Sequence, residues 1–189
     1  MRWFILVVFA IFMVSCSSAA VMRYDYLPKS NYKYYAPLQT VDLKKNRYKL
    51  NIIDKRGRDK ISCSQISLSK DLGLEGEKGL SFFKHYLMGM IEENNGVIDQ
   101  ENGKEIHIEL NGISGRSYGF VVINIFGLVE FVTHVDGKTK TYCSEMNDDD
   151  EGSPLGGMVL TASGAERDMA SASVRRTFQE LMRDLSTFN

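Results

Sequence analysis

The stretch from Tyr118 to Met146 constrains the fold more than any other part of this chain. Residues Phe120 to Phe126 are apolar on both faces of an extended backbone apart from Asn124, the pattern of a central strand covered on both sides. Tyr118 to Val135 is therefore expected as one long strand, with Gly127 in its middle marking a bulge. Asp136-Gly137 follows, a dipeptide suited to the two positive-φ positions of a tight hairpin turn. Lys138 to Met146 then returns, with Thr139, Thr141 and Cys143 in alternation. A hairpin this apolar has to sit inside a sheet and be covered by something.

Two helical patterns are available to cover it. From Glu77 to Asn94 the residues Leu80, Phe83, Leu87, Met90 and Ile91 recur at spacings of three and four, one apolar stripe along a helix. Asn95-Gly96 ends that helix in the manner of a left-handed C-cap. Ser163-Gly164-Ala165-Glu166 has the capping-box pattern. It opens a helix to about Ser186, whose stripe includes Ala165, Met169, Ala172, Phe178, Leu181, Met182 and Leu185. Elsewhere Tyr48, Leu50 and Ile52 alternate with Lys49 and Asn51, the period of a half-buried strand. Ile106, Ile108 and Leu110 alternate in the same way with His107, Glu109 and Asn111, and Gly112 to Gly115 is expected to interrupt that strand. A turn at Asp54 to Arg58 is expected to lead into a short extended piece over Ile61, Cys63 and Gln65. Asp71 to Gly76 and the acidic, glycine-rich Asn147 to Gly157 read as loops, and Met158 to Thr161 as a last extended piece. The order β, (β), α, β, β, β, α implies an α+β fold: a small, mainly antiparallel sheet with two helices packed on one face, a two-layer sandwich.

The N-terminus is a different kind of segment. Arg2 precedes an uncharged apolar run from Trp3 to Val14, followed by Ser15 and Cys16, the plan of a secretory signal peptide. The run is too short to cross a hydrocarbon core, which takes about 20 apolar residues. Met13-Val14-Ser15-Cys16 resembles a bacterial lipobox, with Met13 where such signals usually carry Leu. In those signals the peptide is cut before the Cys, which receives diacylglycerol and is then acylated at its new N-terminus. Several acyl chains far exceed the marginal hold of one. Two other readings stay open: cleavage after Ser18, Ala19 or Ala20 to give a soluble periplasmic protein, and an uncleaved apolar N-terminus. The expected organisation is a signal peptide over 1–15, a lipidated Cys16 and Tyr-rich tether over 16–43, and a globular domain over 44–189. The tether mixes Tyr24, Tyr26, Tyr32, Tyr34 and Tyr35 with Lys29, Lys33, Pro28 and Pro37. Such a mixture suits a membrane interface or a protein partner, and equally a tether whose rings rest on the domain.

Lys and Arg number 23 against 24 Asp and Glu, a formal charge of −1, so no basic surplus suggests a nucleic-acid partner. If Cys16 is acylated, Cys63 and Cys143 remain as an even pair in an oxidising compartment. A disulfide and two separate half-buried thiols both fit, because the order of strands decides whether they meet. A catalytic thiol is disfavoured, since neither Cys has a His or a CxxC partner nearby in sequence. His85, His107 and His134 are far apart with no pair at metal-ligand spacing; His107 and His134 could share a wet sheet face, and no metal site is read from them. Asp148-Asp149-Asp150-Glu151 lacks the spaced ligands of a calcium loop and reads as solvated. Gly152-Ser153-Pro154-Leu155-Gly156 sets its Ser off the centre that a nucleophile elbow requires. Asn111 to Gly115 is not followed by the Lys-Ser/Thr of a phosphate loop. No catalytic constellation and no cofactor is expected, and the chain is read as non-enzymatic.

Taken together, the lipobox at Cys16, a first strand ending in Asp54-Lys55-Arg56, a helix ending at Asn95-Gly96, three strands and a Ser163-led final helix resemble the YajG-type lipoproteins. The transport-auxiliary lipoproteins are more distantly similar. The resemblance covers about residues 46–187 and rests on order and spacing; the Tyr-rich tether and the Cys63/Cys143 pair depart from it. It implies an anchored α+β domain in the cell envelope with no established catalytic residue. Ser17 beside the anchor would, in the enterobacterial sorting scheme, imply the outer membrane, with the domain facing the periplasm. The expected partners are the membrane, through the lipid, and another envelope protein in assembly or transport. A second expectation is a lipid or small apolar ligand held between helix and sheet near Phe82, Phe83, Met88, Met90 and Phe126.

Overall fold

A computed structural model of the chain describes residues 41–68, 76–118, 123–150 and 162–187. Cys16, the signal peptide and the tether tyrosines lie outside the described residues, as do Phe120, the Gly152 to Gly156 stretch and the Met158 to Thr161 piece. Seven elements follow in order: β1 (Arg47–Asp54), α1 (Gly76–Glu93), β2 (Val97–Ile98), β3 (Lys104–Tyr118), β4 (Asn124–Val135), β5 (Lys138–Asn147) and α2 (Ala162–Thr187). The five strands form one open sheet in the order β2-β1-β3-β4-β5. β1 runs parallel to both β2 and β3, whereas β3-β4 and β4-β5 are antiparallel. The α+β class holds, with a mixed sheet whose parallel half arises because α1 carries the chain back between β1 and β3. No helix among the described residues is long and apolar enough to cross a membrane.

Both helices cover the same face. Phe131 on β4 makes ring contacts at 5.3 Å with Phe83 of α1, 5.6 Å with Phe178 of α2 and 5.0 Å with Tyr142 of β5. The alternating apolar residues of β1 and β3, Tyr48, Leu50, Ile106, Ile108 and Leu110, join them in one buried cluster. Tyr142 carries its polar tip to the edge of that cluster, where its hydroxyl donates to Asp184 Oδ2 at 2.6 Å, beside Lys140. Burial and then the Asp184 carboxylate push the Tyr142 phenol up, so it stays a donor.

Local signals act as expected where they depend on chain neighbours. Asn95 takes φ 60°, and the amides of Gly96 and Asn95 donate to the Ile91 and Glu92 carbonyls at 2.8 and 3.0 Å. That is the Schellman pairing, which satisfies carbonyls a helix end would leave open. Asp136 and Gly137 both have positive φ, 50° and 73°, the two left-handed positions of a type I′ turn.

Several expectations are corrected. The stretch read as one strand from Tyr118 to Val135 is split: β3 ends at Tyr118, β4 begins at Asn124, and these two residues are antiparallel partners. A run that is apolar on both faces has no period, so a chain reversal inside it leaves no trace in the pattern. Gly112 to Gly115 does not interrupt a strand but lies within β3, and the register shift falls between Leu110 and Gly112. Gly127 is not a bulge. It pairs with Gly115, and a Cβ on either would collide with the backbone of α2, at the Met169 and Glu166 carbonyls respectively. The two glycines let the helix lie directly on the sheet. Residues 61–65 are turns and bends rather than a strand, framed by one isolated bridge between Lys60 and Ser67. Helix α2 starts at Ala162, which puts Ser163 inside its first turn. The Glu166 carboxylate accepts from Ser117 Oγ at 2.6 Å, tying the helix to β3 where a capping box would have turned it inward. Finally, Leu43 belongs to the domain and not the tether: it is 1% exposed in the core. Its amide donates to the Asn94 carbonyl at 2.8 Å, and that of Val41 donates to Asn94 Oδ1 at 2.9 Å.

Candidate functional site

With one face of the sheet filled by helices, the chemistry-bearing side chains collect on the other. Alternation along each strand sends Glu109 and His107 of β3, Glu130 and His134 of β4, and Thr139 and Cys143 of β5 to this far face. It has a covered half and an open half.

The covered half lies under residues 55–68. Cys63 and Cys143 are joined as a disulfide across a Cα separation of 6.0 Å. Cys63 reaches its partner from a turn and not from a strand, so no argument from strand order could have paired them. Next to the bond, Glu130 opposes Cys143 in the β4-β5 register and is 2% exposed. Its Oε2 accepts from the Ser62 amide at 2.5 Å, and its Oε1 accepts from Asn111 Nδ2 at 2.9 Å with Arg58 Nη1 at 3.5 Å. Cys143 Sγ lies 3.6 Å from Oε2; it is a packing contact, because a disulfide sulfur has no hydrogen to donate. Burial pushes the Glu130 carboxyl up, but the Ser62 and Asn111 hydrogen bonds and the Arg58 charge outweigh it and hold it below its ordinary value. An anion fixed by three neighbours in this way pins the 55–68 segment to the sheet. It is not poised to exchange a proton. In the sequence Glu130 looks only like an interruption of an apolar run, and the reason for a carboxylate there is invisible until Ser62 and Asn111 are placed beside it.

The open half centres on two histidines. His107 and His134 are antiparallel register partners with ring centroids 5.4 Å apart. Two residues along β3, Glu109 brings its Oε1 to 3.9 Å from His107 Nε2 and accepts from Lys55 Nζ at 2.6 Å. That Lys55 hydrogen bond lowers the Glu109 carboxyl, with burial opposing it and the charges of Lys55 and the two histidines adding to it. His134 Nδ1 is paired with Thr139 Oγ1 at 2.8 Å. His85, the third histidine, is on α1, where its Nδ1–H donates to the Ser81 carbonyl at 2.7 Å.

Other candidates from the sequence do not come together. Phe83 and Met90 are buried among the helices, whereas Phe126 lies on the far face with its ring 6.2 Å from Tyr118. The apolar residues named for a ligand therefore do not share one site. In the acidic run, Asp148 Oδ1 accepts from the Ile125 amide at 3.2 Å and Asp150 Oδ2 from the Asn147 amide at 2.9 Å. Asp148 thus ties the loop to β4, and Asp150 closes the turn after β5 within 4.0 Å of Arg176 on α2.

No protein family and no curated protein matches this sequence. Among solved structures, the chain is similar to a minor lipoprotein from Acinetobacter baumannii, at 10% identity and a TM-score of 0.40, over 75% of this chain and 91% of that one. It is also similar to an uncharacterized protein at 6% identity and a TM-score of 0.36, over 78% of this chain and 95% of that one.

Proposed function

We propose that the chain is an envelope lipoprotein, anchored through acylated Cys16, whose α+β domain faces the periplasm and binds another envelope component without catalysing a reaction. The observation that carries the reading is the agreement of two independent features. Met13 to Cys16 has the form of a lipobox, and Cys63 and Cys143 form a bond that persists in oxidising compartments and is rare in the cytosol. The apolar run and the disulfide are far apart in the chain, and each on its own is a feature of exported proteins. The far face supports a binding role over an enzymatic one: its buried carboxylate is fully engaged in holding the 55–68 segment. Placement in the outer membrane, as Ser17 would imply, and the role of the partner in assembly or transport are parts of the same proposal.

The test is labelling of cells with a fatty-acid analogue, comparing wild type with Cys16→Ala. Incorporation of label and membrane fractionation are expected in the wild type, and both are expected to vanish in the variant. Equal fractionation of the two would overturn the anchor. Cleavage after Ser18 to Ala20, the soluble alternative, would instead give an unlabelled protein in the periplasmic fraction for both.

A further inference from the structure

We infer that His107, Glu109 and His134 form a binding site for one borderline divalent transition cation of the Zn²⁺ or Cu²⁺ class. One ligand atom from each of the three residues lies within 4.8 Å of the other two. A tetrahedral Zn²⁺ with ligands at about 2.0–2.1 Å holds those atoms about 3.3–3.5 Å apart. The approach still needed is about an ångström, within reach of side-chain rotation alone, since all three residues sit on rigid neighbouring strands and are half-exposed.

The donor set selects the metal class. Two imidazoles and one carboxylate suit Zn²⁺, Cu²⁺ or Ni²⁺, whereas a hard cation such as Ca²⁺ calls for six to eight oxygens. The surroundings orient the ligands. With Nδ1–H of His134 donating to Thr139 Oγ1, the lone pair of that ring is left on Nε2, the kind of outer hydrogen bond that fixes the tautomer of a metal-binding histidine. Three protein ligands on an open face leave the fourth position of a tetrahedron to water or to a side chain of a bound partner. The local competitor is the Lys55 ammonium, which holds Glu109 Oε1. It lies at the end of a half-exposed side chain and can swing into solvent when the cation binds. The two rings meet across neighbouring strands and not along one, so no short ligand spacing in the sequence is needed. The site is independent of the anchor, and failure of either proposal leaves the other standing.

The experiment is isothermal titration of the full chain in detergent micelles, stripped with a chelator, with ZnCl₂. Saturable one-to-one binding is expected, with a Kd on the order of 10 µM. His107→Gln and His134→Gln should each weaken it at least tenfold, and Glu109→Gln should weaken it measurably. His85→Gln, which alters the histidine on the opposite side of the sheet, should leave the isotherm unchanged. Thr139→Val keeps every ligand and removes only the orienting hydroxyl; it should weaken binding by about tenfold, in the range of lost outer hydrogen bonds. Circular dichroism melts establish that each variant is folded. Absence of saturable binding in the wild type, or an isotherm that survives in folded His107→Gln or His134→Gln, overturns the site.

Discussion

Replacing Cys63 and Cys143 together by Ala tests what the disulfide contributes to the domain. The bond links residues 80 positions apart in sequence. In the chain-entropy description, cross-linking a loop of about that length removes about 4.5 kcal/mol of conformational freedom from the unfolded state. The folded state should change little. The 55–68 segment keeps Ile61 buried at 3% exposure and keeps the Ser62 amide on Glu130, so the segment stays docked and the loss falls on the unfolded side. At about 2–4 °C per kcal/mol for a chain of this size, the melting temperature should drop by about 9–18 °C. The assay is a thermal melt by circular dichroism of the full chain in detergent, with and without dithiothreitol, beside the double variant. Reduced wild type and double variant should coincide. A fall of less than about 3 °C on reduction would refute the reasoning, because the loop would then carry no entropy worth removing. So would a double variant as stable as oxidised wild type, which would show that dithiothreitol acts elsewhere.

Two further outcomes follow from the packing. Gly127→Ala places a methyl group against the Met169 carbonyl, and because that neighbour is helix backbone the helix must lift. A loss of about 1–3 kcal/mol is expected in urea unfolding; Lys49→Ala on β1 serves as the control and should shift the midpoint little. Glu130→Leu strands the Ser62 amide and the Asn111 amide and should cost about 2–6 kcal/mol at pH 7, at about 1–3 kcal/mol per unsatisfied donor. The Glu130 carboxyl is held below its ordinary value of 4.5, so its contribution is present above that pH and is lost as pH falls through the folded value. Glu130→Gln has no such group to titrate. Urea midpoints measured from pH 7 to pH 3 should therefore converge at the acid end, and parallel profiles for the two proteins would contradict the assignment.

How much of this could be read from the chain depends on the distance over which each signal acts. Asn95-Gly96 and Asp136-Gly137 determined their turns because a left-handed residue and its hydrogen bonds lie within a few positions of one another. The stripes of α1 and α2 and the alternation in β1 and early β3 were equally legible, since burial on one face imposes a period. The stretch from Tyr118 to Val135 defeated the same reasoning: burial on both faces removes the period, and the antiparallel return at Asn124 went unseen. Gly127 was visible as a glycine but not as a place where a helix backbone approaches, because Met169 is remote in sequence. Glu130, the Cys63–Cys143 bond and the facing of His107 on His134 belong to the same class. The facing of His107 on His134 depends on which strands are neighbours and in what register, whereas the disulfide and the partners of Glu130 depend also on where the 55–68 segment docks on the sheet. The sequence by itself thus determined the two left-handed turns, the apolar faces of the helices and of β1 and early β3, and the α+β class. Only the tertiary structure decided which polar side chains converge, because convergence is a property of strand order and of how connecting segments dock on the sheet, and not of spacing along the chain.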